Sequence, residues 1–133
     1  MNDRLYITIN SFSYLTTGIP ADNSGNHGGF VFDCRCLPNP GREEMYKSST
    51  GKDEAVIDYF QRYSLVSQYL DHVKAILTIA VDNYLERGFS HLMISFGCTG
   101  GQHRSVYCAE VIYEYLKSKP VVLKINHLEL DKT

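Results

Sequence analysis

The chain has 133 residues, of which 44% are hydrophobic and 21% charged, as expected for one globular domain with a single buried core. The net charge of −2 gives no general electrostatic reason to bind nucleic acid. No apolar run approaches the roughly 20 residues needed to cross a bilayer, and the N-terminus lacks the basic start and apolar core of a signal peptide. We therefore expect a cytoplasmic protein.

The first part of the chain predicts two strands joined by a loop. Residues 5–9 alternate apolar and β-branched side chains, which is typical of a strand. Residues 13–29 are rich in glycine and other turn-forming residues and predict a loop, and residues 30–34 predict a short second strand. The Pro-Asn-Pro-Gly run at 38–41 then ends regular structure.

Two helices are predicted next. Asp53 is a good N-cap for a helix over residues 54–62. From residue 66 to residue 85, apolar side chains recur at the i, i+3, i+4 spacing of a longer amphipathic helix. Gly88 is the expected C-cap of that helix.

The last part of the chain predicts a strand over 92–96, a glycine-rich turn, a helix over 106–116 and a strand over 121–125. A strand–helix–strand unit of this kind implies parallel pairing with a right-handed connection. The fold class we predict is α/β, one layered domain over residues 1–133 with an at least partly parallel sheet. The glycine-rich turn then lies at the carboxyl end of a strand, where open α/β sheets bind ligands.

The glycine-rich turn at residues 97–105, called the glycine turn below, carries the most informative chemistry. A strand that feeds a turn and then a helix directs backbone N–H groups, and the positive end of the helix, at one point. Gly100 and Gly101 allow close approach of a ligand to the main chain. Arg104 adds guanidinium donors, and Thr99 and Ser105 add hydroxyls. This combination predicts a phosphate-binding loop.

Four cysteines, at positions 34, 36, 98 and 108, lie in or beside predicted regular elements, which argues against a secreted disulfide framework. Cys34 and Cys36 are expected to share one face of a strand, as the first half of a metal site would require. No second pair or histidine cluster completes such a site. We therefore predict reduced thiols and no metal.

One interpretation of the glycine turn is enzymatic. Cys98 and Arg104 enclose five residues and Ser105 follows, which resembles the cysteine-x5-arginine-serine loop of cysteine-dependent phosphatases. In that family a thiolate attacks phosphorus while loop amides and the arginine hold the oxygens. Gly97 stands where that family usually carries histidine. Under this alternative, Cys98 is the nucleophile of a phosphatase or phosphotransferase.

The second interpretation rests on a wider resemblance, which runs from about residue 5 to residue 127. The glycine turn, continued by Val-Tyr-Cys-Ala-Glu at 106–110, is very similar to the C-terminal domain of the RapZ family of bacterial RNase adapter proteins. The stretch from Asp33 to Pro40 resembles that family's Asp-x-Arg-x-Leu-Pro-Asn-Pro motif. Shorter matches to the same domain are Ser11-Phe12, Gly18-Ile19-Pro20, Thr50-Gly51-Lys52-Asp53 and Arg62.

The resemblance implies a domain that binds a phosphorylated amino sugar, glucosamine-6-phosphate, and signals its level without a cofactor. Carried over position by position, the residues around the phosphate are Thr99, Gly100, Gly101, His103 and Arg104, with Cys98 beside them. The residues that would contact sugar hydroxyls or the amine are Asp33, Arg35, Asn39 and Arg62. In that family the domain also binds RNA, self-associates and follows a nucleotide-binding domain.

The chain departs from the family pattern in three places. Gly41 stands where the family often has histidine or an aromatic residue. The family has a basic tail around a His-Arg pair, whereas residues 127–133 here read His-Leu-Glu-Leu-Asp-Lys-Thr, and with a single lysine this tail is a poor RNA binder. The stretch at 49–52 only faintly resembles a nucleotide-binding loop, because Tyr46 occupies the position of its first glycine.

Three hypotheses follow from these patterns. The first is a phosphosugar-binding regulatory domain, which could self-associate or work with a separate nucleotide-binding protein. The second is an enzyme that uses Cys98. The third is an RNA-binding adapter, against which the acidic balance and the tail count. No membrane contact is predicted.

Overall fold

The structure is a computed structural model that describes residues 4–131, and its centre is a four-stranded sheet in which every neighbouring pair is parallel. The strands are β1 (Leu5–Ser13), β2 (Phe30–Asp33), β3 (His91–Cys98) and β4 (Val121–His127), in the spatial order β2–β3–β1–β4. The helices are α1 (Glu54–Gln61), α2 (Ser64–Arg87) and α3 (Arg104–Leu116). The predicted α/β class and the parallel pairing are confirmed.

The core forms between the helices and one face of the sheet. Helix α3 connects β3 to β4 and packs against both strands and against β1, which lies between them. Phe60 of α1 stacks on Tyr107 of α3 with the ring centroids 4.7 Å apart. Within this core Ile7 pairs with Leu92 and Ile9 pairs with Ile94 across β1 and β3. The core residues of these two strands on the same face are Leu5, Ile7, Ile9, Leu92, Ile94 and Phe96. This packing fixes the carboxyl ends of β1, β3 and β4 beside the start of α3.

Strand β1 runs four residues beyond the predicted strand and ends at Ser13. The polar residues that hid this extension are paired within the sheet. The Asn10 side-chain amide donates to the Ser95 hydroxyl at 3.3 Å, and the Asn126 side-chain amide donates to Oδ1 of Asn10 at 3.2 Å. A buried polar row of this kind is tolerated because its hydrogen bonds are satisfied.

Two local predictions need correction and one is confirmed. Asp53 occupies the N-cap position of α1, but its carboxylate accepts a hydrogen bond from the Thr50 N–H at 2.7 Å rather than from the helix. Strand β2 ends before Cys34, which is buried, whereas Cys36 is exposed, so the two do not share a strand face. Gly88 ends α2 with φ of +74°, as predicted for a C-cap.

Within residues 4–131, no helix combines the length and apolar character needed to cross a membrane.

Candidate functional site

The glycine turn lies between the end of β3 at Cys98 and the start of α3 at Arg104. Beside it is a cavity of about 330 Å³, at the small end of the range for ligand sites. The residues that line this cavity come from the glycine turn and from the segment after β2, and they are Asn39, Gly41, Lys47, Cys98, Thr99, Gly100, Gln102, His103 and Arg104. We call it the glycine-turn cavity.

Backbone N–H groups without an acceptor among the described residues occur along the glycine turn, and four of the residues 99–103 line this cavity. The N–H groups of residues 99–103 find no hydrogen-bond acceptor within the described part of the chain. Arg104 begins α3, so the positive end of that helix adjoins the same space. Free amides at a helix N-terminus are suited to an anion.

The charges of the side chains around the cavity also favour an anion. Its cations are Arg104 and Lys47, and among the described residues that line it there is no aspartate or glutamate. Three larger cavities lie elsewhere in the described structure. Those of about 580 and 910 Å³ have carboxylates in their linings, and the described residues that line the one of about 430 Å³ include neither lysine nor arginine. The smaller cavity therefore has the better electrostatic match to an anionic ligand, although it is not the largest space in the molecule.

Arg104 joins the glycine turn to the segment after β2. Its side chain is almost wholly buried, with the residue 6% exposed. One terminal nitrogen donates to the carbonyl oxygens of Arg35 at 2.8 Å and Leu37 at 3.3 Å, and the other donates to the Thr99 hydroxyl at 3.4 Å. The guanidinium has five N–H donors, so these contacts leave donors for a ligand while they fix its position.

His103 and Gln102 tether the glycine turn to the loop before α1. The Nε2 atom of His103 lies 2.8 Å from the carbonyl oxygen of Tyr46, which can only accept, so Nε2 carries a hydrogen. In the neutral ring Nδ1 is then an acceptor, on the side of Gly41, where an added Cβ would lie 3.3 Å from it. The Gln102 amide donates to two carbonyl oxygens of the same loop at 2.7 and 2.8 Å.

The Cys98 thiol lies at the base of the cavity and is held by Ser105. Its sulfur is 3.2 Å from the Ser105 hydroxyl and accepts from the Ser105 N–H at 3.4 Å. Gly97 precedes it because a Cβ there would lie 2.3 Å from the ring of Phe12 and 2.7 Å from the ring of Tyr14. The histidine of the phosphatase loop therefore has no room at this position.

Asp33 and Arg35, from the end of β2, form an ion pair with each other at the surface. The guanidinium donates to both carboxylate oxygens at 2.8 and 2.9 Å, and each side chain is 48% exposed. The hydrogen bond from the Arg35 side chain is the largest of the causes that hold the Asp33 pKa below its usual value, and the charge of Arg104 contributes least. Arg35 also lies over the ring of Tyr14, 3.9 Å from its centroid. The pair lies outside the lining of the glycine-turn cavity.

The structure thus brings together six of the predicted site residues and places the others around them. The cavity lining holds Asn39, Cys98, Thr99, Gly100, His103 and Arg104. Arg62 instead donates to the Tyr46 hydroxyl at 3.3 Å, behind the loop that His103 contacts. Gly101 packs on the end of β1 with φ of +70°, and Ser105 holds the thiol.

Three residues of the lining were not among the predicted site residues. Gln102 lies inside the predicted loop, so its position alone could have indicated it. Lys47 belongs to the segment after β2, where no periodic pattern predicts the direction of its side chain, and Gly41 in the same segment was noted above only as a departure from the family pattern. No group of three or more metal-binding side chains occurs within residues 4–131.

Comparison with known proteins covers nearly the whole chain. A family model described as the RapZ C-terminal domain matches residues 5–131. A protein of Clostridium botulinum strain Hall, named a nucleotide-binding protein, is 38% identical over 132 residues, which is 99% of this chain and 43% of that protein. A protein of Clostridium kluyveri with the same name is 36% identical over the same shares. The chain therefore spans less than half the length of these relatives.

Proposed function

Because the chain belongs to the RapZ C-terminal domain family, we propose that it is a regulatory domain that binds the phosphate group of a small molecule in the glycine-turn cavity. The observation that carries this proposal is the combination of free amides at residues 99–103 with a buried arginine. A dianionic phosphate gains most from fixed donors in a site with no competing carboxylate.

We further propose that the ligand is an amino-sugar phosphate such as glucosamine-6-phosphate. A hexose phosphate is compatible in size with a cavity of about 330 Å³. The Nδ1 acceptor of His103 and the amide of Asn39 suit sugar hydroxyls, which both donate and accept. The Asp33 carboxylate already pairs with Arg35 and lies within range of the Arg104 charge, and its oxygens can in addition accept from the ammonium group of the amino sugar.

The test is an amide NMR titration with inorganic phosphate, glucosamine-6-phosphate, glucose-6-phosphate and ATP. We expect saturable shifts in the glycine turn with inorganic phosphate, and additional shifts at 33–39 with the sugar phosphates. Tighter binding of the amino sugar than of glucose-6-phosphate would support the proposed ligand. Equal affinities would refute the role of the amine while leaving the phosphate site in place.

Variants separate the parts of the site. Arg104→Ala should abolish phosphate binding, and Arg87→Ala, the same change at the exposed end of α2, should leave it unchanged. Arg62→Ala tests the position implied by the resemblance. If Arg62 reaches the sugar, this variant should bind the sugar phosphates more weakly and inorganic phosphate with unchanged affinity. If Arg62 only supports Tyr46, both affinities should stay unchanged. Phosphate binding that persists in Arg104→Ala would overturn the site assignment.

A second candidate function is phosphoryl transfer by Cys98. The observation that favours it is the thiol at the base of the cavity, within hydrogen-bond distance of Ser105 and in the same lining as Arg104. It predicts release of phosphate from an aryl phosphate, lost in Cys98→Ser. Binding of phosphate with no turnover of several phosphoesters would reject it in favour of a sensor.

The relatives are named nucleotide-binding proteins, and we propose that this activity resides in the part of them that this chain does not match. In support, Tyr46 occupies the position that a phosphate-binding glycine would need ahead of the 50–52 stretch. ATP should then cause no saturable shift in the titration above. A regulatory domain of this kind could act through self-association or through a nucleotide-binding partner, and a sedimentation measurement with and without phosphate tests the first route.

A further inference from the structure

Three side chains joined by short hydrogen bonds connect β1, β4 and α3 behind the glycine turn. The Ser11 hydroxyl of β1 lies 2.6 Å from Nδ1 of His127, the last residue of β4. Nε2 of His127 lies 2.6 Å from a carboxylate oxygen of Glu110 in α3. Because an ionised carboxylate only accepts, Nε2 carries a hydrogen, and in the neutral ring Nδ1 accepts from Ser11. The order serine–histidine–carboxylate is that of a hydrolase triad.

The serine of this chain is not presented to a substrate. Ser11 is fully buried, and it does not line any of the cavities described above. A hydroxyl that a substrate cannot reach does not act as a nucleophile. The two contacts of 2.6 Å therefore serve a purpose other than catalysis. Ser11, His127 and Glu110 connect three elements that all end or begin near the glycine turn.

His127 anchors the C-terminal turn, residues 128–131, to the sheet. The Leu128 N–H donates to the Ser11 carbonyl oxygen at 3.0 Å, and the Asp131 N–H donates to the His127 carbonyl oxygen at 2.9 Å. The same turn then reaches the glycine turn, because the Cβ of Glu129 lies 3.1 Å from where a Cβ on Gly101 would be. A shift of His127 would therefore move the surface on which Gly101 rests.

The other side of Gly101 rests on β1. Its notional Cβ is 3.0 Å from the Ser13 backbone nitrogen and 3.1 Å from the Phe12 carbonyl carbon. The Ser13 hydroxyl also donates to the Thr99 carbonyl oxygen at 2.7 Å. Gly101, at φ of +70°, is thus held between the end of β1 and the C-terminal turn, and both of these are tied to the same imidazole.

From this geometry we propose that His127 is a positioning residue for the glycine turn: through Ser11 and Glu110 it sets the shape of residues 99–101 and with it the affinity for phosphate. This inference rests on the proposed function for its affinity readout. The shape of the turn can be measured without a ligand, so the two can fail separately.

The test uses Glu110, because its side chain is partly exposed and its loss is less damaging than loss of a buried histidine. Glu110→Ala removes the acceptor, Glu110→Gln retains a neutral one, and Glu114→Ala makes the same truncation one helical turn away at an exposed ion pair. We expect Glu110→Ala to move the Gly100 and Gly101 amide resonances and to weaken the binding of inorganic phosphate about tenfold, equivalent to about 1.4 kcal/mol. Glu110→Gln should restore most of both, and Glu114→Ala should change neither.

A purely structural role gives a different pattern. Glu110→Ala would then lower the unfolding midpoint while the folded protein kept the wild-type loop resonances and phosphate affinity, and that result would overturn the inference. If the wild-type protein does not bind phosphate, the proposed function fails. In that case the amide resonances of Gly100 and Gly101 decide the inference alone. A shift of these resonances in Glu110→Ala would support it, and unchanged resonances would overturn it.

Discussion

Substitution of Gly97 by alanine tests how tightly the glycine turn is seated on β1. The added Cβ would lie 2.3 and 2.6 Å from two ring atoms of Phe12, a side chain with no exposed surface. Overpacking of this kind costs about 1–3 kcal/mol, which corresponds to a decrease in Tm of about 5–10 °C for a domain of this size. Gly100→Ala is the matched control, because a Cβ there meets nothing within 4 Å.

Urea unfolding of both variants separates the steric cost from the general effect of replacing glycine, since alanine restricts the unfolded chain equally in each. The double variant Gly97→Ala/Phe12→Leu should be less destabilised than the sum of its single changes, because leucine withdraws the ring atoms that the new methyl meets. Equal stability of Gly97→Ala and Gly100→Ala, or strict additivity in the double variant, would refute the reasoning.

Three further predictions concern groups around the site. The Arg35 guanidinium lowers the pKa of Asp33 from its ordinary value of 3.8, so this exposed and solvent-screened pair adds a small stabilisation above that pH, which is lost as pH falls through the lowered pKa. Asp33→Asn should therefore differ from wild type in unfolding free energy at pH 7, and this difference should shrink as pH falls below 3.8; a difference that stays constant or grows over that range would contradict this. Burial raises the pKa of the Cys34 thiol, so iodoacetamide should label the exposed Cys36 in the native protein and Cys34 only after unfolding; equal labelling rates would argue against the burial of Cys34. Gln102→Ala removes two hydrogen bonds to the loop before α1 and should speed amide exchange at 46–51, whereas unchanged exchange there would show that the loop is held by other contacts.

The parts of the fold that follow from local patterns were predictable from the sequence. The apolar runs of β3 and β4 and the periodicity of α2 determine their elements whatever surrounds them. The extension of β1 was not predictable, because Asn10 and Ser11 are polar and gain their partners only when β3 and β4 are alongside. The same applies to the buried His127, whose two partners are far from it in the sequence.

The site was predictable in its chemistry more than in its geometry. A glycine-rich turn between a strand and a helix indicates backbone donors wherever it occurs, and Arg104 adds its charge from the same run. Arg104 donates hydrogen bonds to the carbonyl oxygens of Arg35 and Leu37. These contacts could not be predicted, because they depend on how the segment after β2 folds back. The role of Lys47 depends on the same segment, which has no repeating pattern.

The order of strands has a consequence for how the protein is made. Strand β1 leaves the ribosome first among the strands, yet Ile9 pairs with Ile94 of β3 and with Ile125 of β4. Helices α1 and α2 can form while the chain grows, but one edge of β1 stays open until β3 has been synthesised and the other until β4 has been synthesised. An open strand edge is a template for pairing with other chains, so a nascent chain that stalls before residue 121 should be prone to aggregate.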